Sequence, residues 1–435
     1  MAVSMTRRRF LSQAGTVALA AGVGSTLLEA CGGSSSSGPV TLTYGWWSNG
    51  PTKDNGMKAW IKEFEKVNKN ITVQPEILSW QDYWNKLQTT VAGGKAYDIV
   101  GMAGGMAAPY FDQRALYDLN KFSDFQSATK NLIPSAVQMC SWNGQQNALP
   151  VGIYVPLIGY NKSLLQKAKV PFPDPITPMD FEAFKTIARK LSIKSGSQYT
   201  QYAININDLD PLWTELAQME GGQVYDNPIN PKKVLVNSPA GIKGLTDWQS
   251  LYTENLAVPL AQQGNGPFGA GDIDSLLTDK VAFSRIVLAD FAQIVNEKLE
   301  DKIGVMPIFS VNGKQVTCGN ANSFGIFADS KHPQEAWTFI KWATSAGQKG
   351  FAQISDIPVD QAAFNDMGSY LQPADFAKTL IAAQKGFQPI VMTPNQQYGT
   401  DLGNILTDLS TGKLTPAAAA QQIEQRGNTL FASAS

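Results

Sequence analysis

Val40-Thr41-Leu42-Thr43-Tyr44, then Gly45-Trp46-Trp47-Ser48-Asn49-Gly50, and further on Tyr97-Asp98-Ile99-Val100-Gly101-Met102, decide how this chain folds. The first five residues alternate apolar and polar, the period of a strand, and a loop follows from Gly45 to Gly50. Met57, Trp60, Ile61, Phe64 and Val67 then recur at helical spacing and predict one inward helix face. Ile71-Thr72-Val73 reads as the next strand and Tyr83 to Val91 as the next helix. After the Gly93-Gly94 turn, the Tyr97 segment is a third strand. Strand, helix, strand, helix, strand in that order predicts parallel β-α-β units. Their loops gather at the carboxyl ends of the strands, where open α/β sheets bind small ligands.

The same alternation continues outward. Thr177-Pro178-Met179-Asp180 reads as a capping box with proline in the first turn, opening a helix with Phe181, Phe184, Ile187 and Leu191 inward. Ala336, Trp337, Phe339, Ile340 and Ala343 mark another buried helix face, and Thr415-Pro416 starts a last, alanine-rich helix toward Arg426. About 400 residues follow Gly38, more than one core usually serves, so two lobes are expected. No linker-like break separates them, so the lobes interweave.

Composition narrows the function. Hydrophobic residues make up 43% of the chain and charged residues 16%, which describes a folded protein rich in turns. A net charge of -1 without a basic run argues against a nucleic-acid partner, because phosphate binding needs clustered Lys and Arg. The one histidine, His332, precedes Pro333 at a helix start, and Cys140 and Cys318 are scattered. Such a set offers no zinc site, and no cofactor is expected. Cys140 and Cys318 either pair or stay as two buried thiols, and the second is the plainer reading.

The beginning of the chain reads as an address. Thr6-Arg7-Arg8-Arg9-Phe10-Leu11 precedes a moderately apolar segment, Ala14 to Leu28, too short for a comfortable membrane span. Leu28-Glu29-Ala30-Cys31 ends it, and Gly32-Gly33-Ser34-Ser35-Ser36-Ser37-Gly38 has the composition of a flexible tether. The arrangement resembles a twin-arginine signal peptide joined to a bacterial lipoprotein cleavage site. That resemblance implies a signal peptide at 1–30 and a tether at 31–39, lipidated on Cys31. Glu29 departs from it, standing where a small or apolar residue is usual. Ordinary secretion with Cys31 cleaved away is the alternative. Either way the mature chain works outside the cytoplasmic membrane.

More specific stretches follow one another through the mature chain. They are Tyr97-Asp98-Ile99-Val100, Ala115-Leu116-Tyr117-Asp118-Leu119, Ala148-Leu149-Pro150-Val151 and Tyr160-Asn161-Lys162-Ser163-Leu164-Leu165, then Met219-Glu220-Gly221-Gly222 and Lys331-His332-Pro333-Gln334-Glu335-Ala336-Trp337. Their order and spacing resemble the extracellular solute-binding proteins of ABC importers, in the sugar-binding family that includes maltose-binding protein. The resemblance implies an α/β fold of two interwoven lobes on a multi-crossing hinge, like the type II periplasmic binding proteins. Residues 40–152 and 308–355 would form one lobe, 153–307 and 356–435 the other, with crossings near Gly152, Pro307 and Asp356. It also implies a monomer that hands its solute to a permease and breaks no bond.

The family's cleft positions, carried over, fall on a defined set. Trp46 and Trp47 lie where the first lobe contacts solute, one expected to stack on a sugar ring and the other to pack inside. Ser48 and Asn49 add small polar contacts, and Tyr154 follows the first crossing. Asp210 matches an acidic ligand that could accept from two adjacent hydroxyls, or else caps a helix before Pro211, with Trp213 as the neighbouring aromatic. Asn320, Asn322, Tyr398 and Asp401 complete the set. Met102 and Gly105 replace the family's Trp and Asp for malto-oligosaccharides, which argues against maltose. The expected solute is a neutral sugar or polyol; another small solute, such as a sugar phosphate or polyamine, is the alternative within binding. From a different class, a secreted glycoside hydrolase would need two carboxylates, which Asp210 with Asp290 or Asp401 could supply. If the leader reading holds, Cys31→Ala releases the protein from the membrane fraction, and an unchanged fractionation removes the lipid anchor.

Overall fold

The computed structural model describes residues 38–432 apart from 49, 207–210, 264–265, 270–271 and 373. The leader with Cys31, and Asn49 and Asp210 of the expected contacts, therefore lie outside the described residues. Three strands, β1 (Val40–Trp47), β2 (Ile71–Leu78) and β3 (Ile99–Ala103), alternate with helices α1 (Pro51–Val67) and α2 (Trp80–Ala92). Trp46 and Trp47 thus close a strand where a loop was expected, because β1 pairs with β2 through to Trp47 opposite Leu78. Pro51 suits the first turn of α1, where its missing N–H has no helical acceptor. At the start of α2, the Ser79 hydroxyl accepts the Asp82 N–H at 3.2 Å. Helix α1 buries Met57, Trp60, Ile61 and Phe64, while Val67, expected inward, is 69% exposed in its last turn.

After α3 (Gly104–Asp112) come β4 (Leu149–Tyr154) and β5 (Leu157–Asn161), then α4 (Phe181–Leu191), β6 (Ile193–Ser195) and β7 (Gln198–Asn205). Helix α4 is capped by Asp180, whose Oδ1 accepts from Glu182 and Ala183, three residues after the start expected at Thr177. The chain continues through α5 (Leu212–Met219), β8 (Val281–Ile286), α6 (Leu288–Asn296), β9 (Ile303–Met306) and β10 (Thr317–Ile326). Helices α7 (Pro333–Ala343) and α8 (Gln348–Ala352), strand β11 (Phe387–Pro389) and helices α9 (Gln396–Ser410) and α10 (Pro416–Ala432) complete the elements used below.

Two sheets result. The first runs β2-β1-β3-β10, parallel except for β10, which also pairs with β4 and β11. The second runs β9-β5-β8-β7-β6. Each has its own aromatic core: Tyr44, Trp60, Phe324 and Phe339 in the first, Phe181, Phe184, Phe283 and Phe309 in the second. Two expected boundaries move. Residues 308–316 stay with the second sheet, because Phe309 packs on Phe184 at 4.3 Å and Ser310 bridges to Asp180. Beyond 356, where a crossing was expected, the chain stays with the first sheet as far as β11, since α7 and α8 before it and Val359, Met367 and Leu371 after it share one core and β11 pairs with β10. Cys140 and Cys318 are both buried and form no disulfide with each other.

The second sheet carries a buried ion pair. Arg285 donates two bonds to Glu215, at 2.7 and 3.1 Å, and the Cys318 N–H donates a third at 2.6 Å. With three donors on one carboxylate, both desolvated charges are held by good geometry. Since Glu215 lies on α5 and Cys318 on β10, the pair ties the second sheet to a strand of the first.

Three segments meet where β4 leaves the first sheet. Gly152 of β4 lies opposite Asn322 of β10, and Asn322 Nδ2 donates to Asp356 Oδ2 at 2.9 Å. A Cβ on Gly152 would stand 2.3 Å from the Asp356 Cβ, so only glycine lets these segments approach. Burial raises the Asp356 carboxyl pKa, although the bonds from Asn322 and Ser355 oppose the rise. The folded chain therefore holds this proton more tightly than the unfolded chain. Asp356 then costs stability as pH rises from the ordinary carboxylate range through its folded pKa, and costs none below that range. Urea unfolding from about pH 4 to about pH 8 checks this, because Asp356→Asn should flatten the slope it contributes. An Asp356→Asn slope equal to that of the parent protein would remove this account.

Candidate functional site

The carboxyl ends of β1 and β3 lead into α1 and α3, and that of β8 leads into α6. Between α1 of the first sheet and α6 of the second lies a cavity of about 370 Å³. Thr52 and Lys53 reach it from the first turn of α1, and Leu288, Phe291 and Asn296 from α6. Gln353 and Tyr370 close it from the segments that follow α8. Its size and its mixture of apolar surface with a few polar groups suit a small organic solute. Amide, hydroxyl and ammonium groups there can donate and accept without any nucleophile or metal ligand set. A smaller cavity, about 200 Å³, lies among Asp112, Asn143, Asn230 and Lys232.

Lys53 gives the larger cavity its charge. Burial raises the carboxyl pKa of both Asp290, on α6, and Asp356, at the crossing point, and the Lys53 ammonium opposes the rise at both. A cation on the first sheet's helix thus acts on an acid of the second sheet and on the hinge. The Asp290 carboxylate also accepts the Val287 N–H at 2.9 Å, which holds it at the start of α6.

The expected contacts divide. Tyr154, 37% exposed at the end of β4, lies opposite Asn320 of β10, and Asn322 two residues on holds Asp356. The Asn320 Oδ1 is buried without a hydrogen-bond partner among the described residues, beside Gly104 at the start of α3. These residues are brought together at the hinge. Others are not at a surface at all. Trp46 packs on Phe324 and Phe351, over Gly101, whose added Cβ would stand 2.3 Å from the indole. Trp47 packs on Tyr83 and Trp84. One of the two was expected to face solute, yet both are buried, because the rings stack on each other at 3.9 Å and further aromatic rings enclose the pair.

Met102 is fully buried in β3, and Trp213 is buried in the second core. Tyr398 is buried too, its hydroxyl bonded to that of Tyr225 at 3.0 Å. The Ser48 hydroxyl donates to Asp54 at 2.6 Å, and Asp401 accepts from Gln397 on the outside of α9. The carboxylates named for a hydrolase are thus a helix cap (Asp290), a surface residue (Asp401) and Asp210, which lies outside the described residues.

Lys53, Asn296, Gln353 and Tyr370 were not expected from sequence. A signal for Lys53 existed: it stands in the first turn after a strand's carboxyl end, the edge already expected to bind ligand. Nothing local marks Asn296 or Tyr370, which reach the cavity only through the packing of α6 and the chain after α8.

Residues 59–378 match the family model described as bacterial extracellular solute-binding protein. A galactooligosaccharide-binding protein of Bacillus subtilis is 21% identical over 416 residues, which is 91% of this chain and 92% of the relative. The fold is similar to that of an ABC substrate-binding protein of Listeria monocytogenes in complex with cycloalternan, with TM-score 0.76 and 19% identity, covering 91% of this chain and 99% of that one. It is also similar to a solute-binding protein of Thermotoga lettingae bound with α-D-tagatose, with TM-score 0.73 and 17% identity, covering 90% and 99%.

Proposed function

We propose, from the premise that the chain belongs to the bacterial extracellular solute-binding proteins, that it captures a sugar or related polyol between its two sheets and delivers it to an ABC permease. The observation that carries the reading is the cavity walled by α1 from one sheet and α6 from the other, with Lys53, Thr52 and Asn296 as polar groups beside Phe291. A sugar presents hydroxyls on its rim and C–H groups on its faces. Amide and ammonium groups suit the first, an aromatic face the second. The carbohydrate-bound relatives support the same class.

Solute acts by population shift. Only a conformation in which both sheets touch it gains the full contact energy, so binding draws the lobes together about the crossing that follows Gly152, beside Asp356. Tyr154 and Asn320 flank that hinge and serve as further contacts, as does Asp210 in the segment after β7. The order β2-β1-β3-β10, with β10 antiparallel and β4 beside it, fits the type II arrangement of binding proteins. In the cell the protein is exported through its Arg7-Arg8 leader, held at the membrane by a lipid on Cys31, and works as a monomer.

Calorimetry of the mature protein against sugars, polyols, polyamines and sugar phosphates tests the reading. Stoichiometric binding of a neutral carbohydrate without turnover is expected. Lys53→Met should lose about 1.5–3 kcal/mol, the range of a hydrogen bond from a charged group, which is roughly ten- to a hundredfold in affinity. Binding confined to amines or phosphates, or release of cleaved glycoside, would overturn it.

A further inference from the structure

Lys53 is the one charged side chain among the described residues that line the larger cavity. Tyr370, also in the lining, is neutral, because burial pushes its hydroxyl pKa up. A lone ammonium in a cavity attracts anions, which sets a puzzle for a site that takes neutral sugars. Two buried acids stand behind the walls. Asp290, 7% exposed, is the third residue of α6, between Leu288 and Phe291 of the lining. Asp356, 5% exposed, follows Ile354 of the lining by two residues.

The two acids are not equivalent. Asp356 is held by Asn322 at 2.9 Å and Ser355 at 3.0 Å, so its carboxyl is answered within the hinge. Asp290 accepts the Val287 N–H at 2.9 Å, at the positive end of α6. Burial acts most strongly on Asp290 and opposes its ionisation. The Lys53 ammonium and the Val287 N–H favour the charge, and Asp274 of the helix Asp272–Leu277 opposes it. Lys53 belongs to α1 of the first sheet and Asp290 to the second, so their attraction runs across the cavity. Buried charges are screened less than exposed ones, and once solute displaces water the field strengthens. An anionic solute gains the attraction of Lys53 and meets the repulsion of Asp290. A neutral solute meets neither in full.

We propose that Asp290 is the countercharge that positions Lys53 from across the cavity, and that the site thereby admits neutral sugars and turns away acidic ones such as uronates. This rests on the carbohydrate reading of the cavity and adds a charge filter to it. Glucose with glucuronate, and galactose with galacturonate, serve as paired probes in calorimetry at about pH 8, well above the ordinary carboxylate range. For the configuration that binds, the neutral sugar should bind the parent protein at least about tenfold more tightly than its uronate.

Asp290→Asn keeps an oxygen for the Val287 N–H and removes the charge. It should raise the uronate-to-neutral affinity ratio at least about tenfold, and adding Lys53→Met should cancel that gain. Asp290→Glu, which keeps the charge, should keep the discrimination. Asp408→Asn, an exposed acid of α9 paired with Lys413, should leave the ratio unchanged and so controls for net charge. Equal thermal midpoints establish that the variants fold. If Asp290→Asn does not fold, Lys53→Met alone decides, since it must weaken the uronate more than the neutral sugar. A parent protein that binds both members of a pair alike, an unchanged ratio in Asp290→Asn, or an equal gain in Asp408→Asn would overturn the filter while leaving the cavity reading in place. If no carbohydrate binds the parent protein, the cavity reading itself falls and the filter with it.

Discussion

The contact between Gly152 and Asp356 sets how the chain leaves the first sheet for the second. Strand β4 is leaving the first sheet there, Asn322 of β10 lies opposite, and the chain after α8 supplies the acid. Three distant segments converge where one side chain would already be too many. Neutralising or hydrogen-bonding the buried carboxyl is the condition for packing them so closely.

The aromatic residues show how the same residue type serves opposite ends. Burying an indole removes on the order of 150–250 Å² from water, or about 4–6 kcal/mol of gross transfer energy. Trp46 and Trp47 contribute that energy to the first core, with their rings stacked on each other at 3.9 Å. Withdrawing either to meet a solute would forfeit most of it. Trp80, by contrast, is only partly buried.

Lys53 carries the charge of the cavity lining, and its ammonium opposes the rise that burial gives the carboxyl pKa of Asp290 and Asp356. The buried Glu215–Arg285 pair, by contrast, is joined by the Cys318 N–H, so that three donors converge on one carboxylate. Its contribution is to fasten α5 to the strand that carries Asn320 and Asn322.

Local periodicity was enough to read the β-α-β order of the first sheet, the inward face of α1 from Met57 to Phe64, and the buried face of α7. Those features depend on residues two to four apart, and the sequence states such spacings directly. The family resemblance added two lobes and the hinge near Gly152 and Asp356. Three things were decided only by tertiary structure. Trp46 and Trp47 both turned inward because Phe351 and Trp84, hundreds and tens of residues away, complete their shells. The chain after 356 stayed with the first sheet, where Val359, Met367 and Leu371 join its core and β11 pairs with β10. Lys53 and Asn296 became neighbours across a cavity because α1 and α6 belong to different sheets. Each outcome is a contact between segments far apart in the chain, set by the whole packing and written in no local spacing.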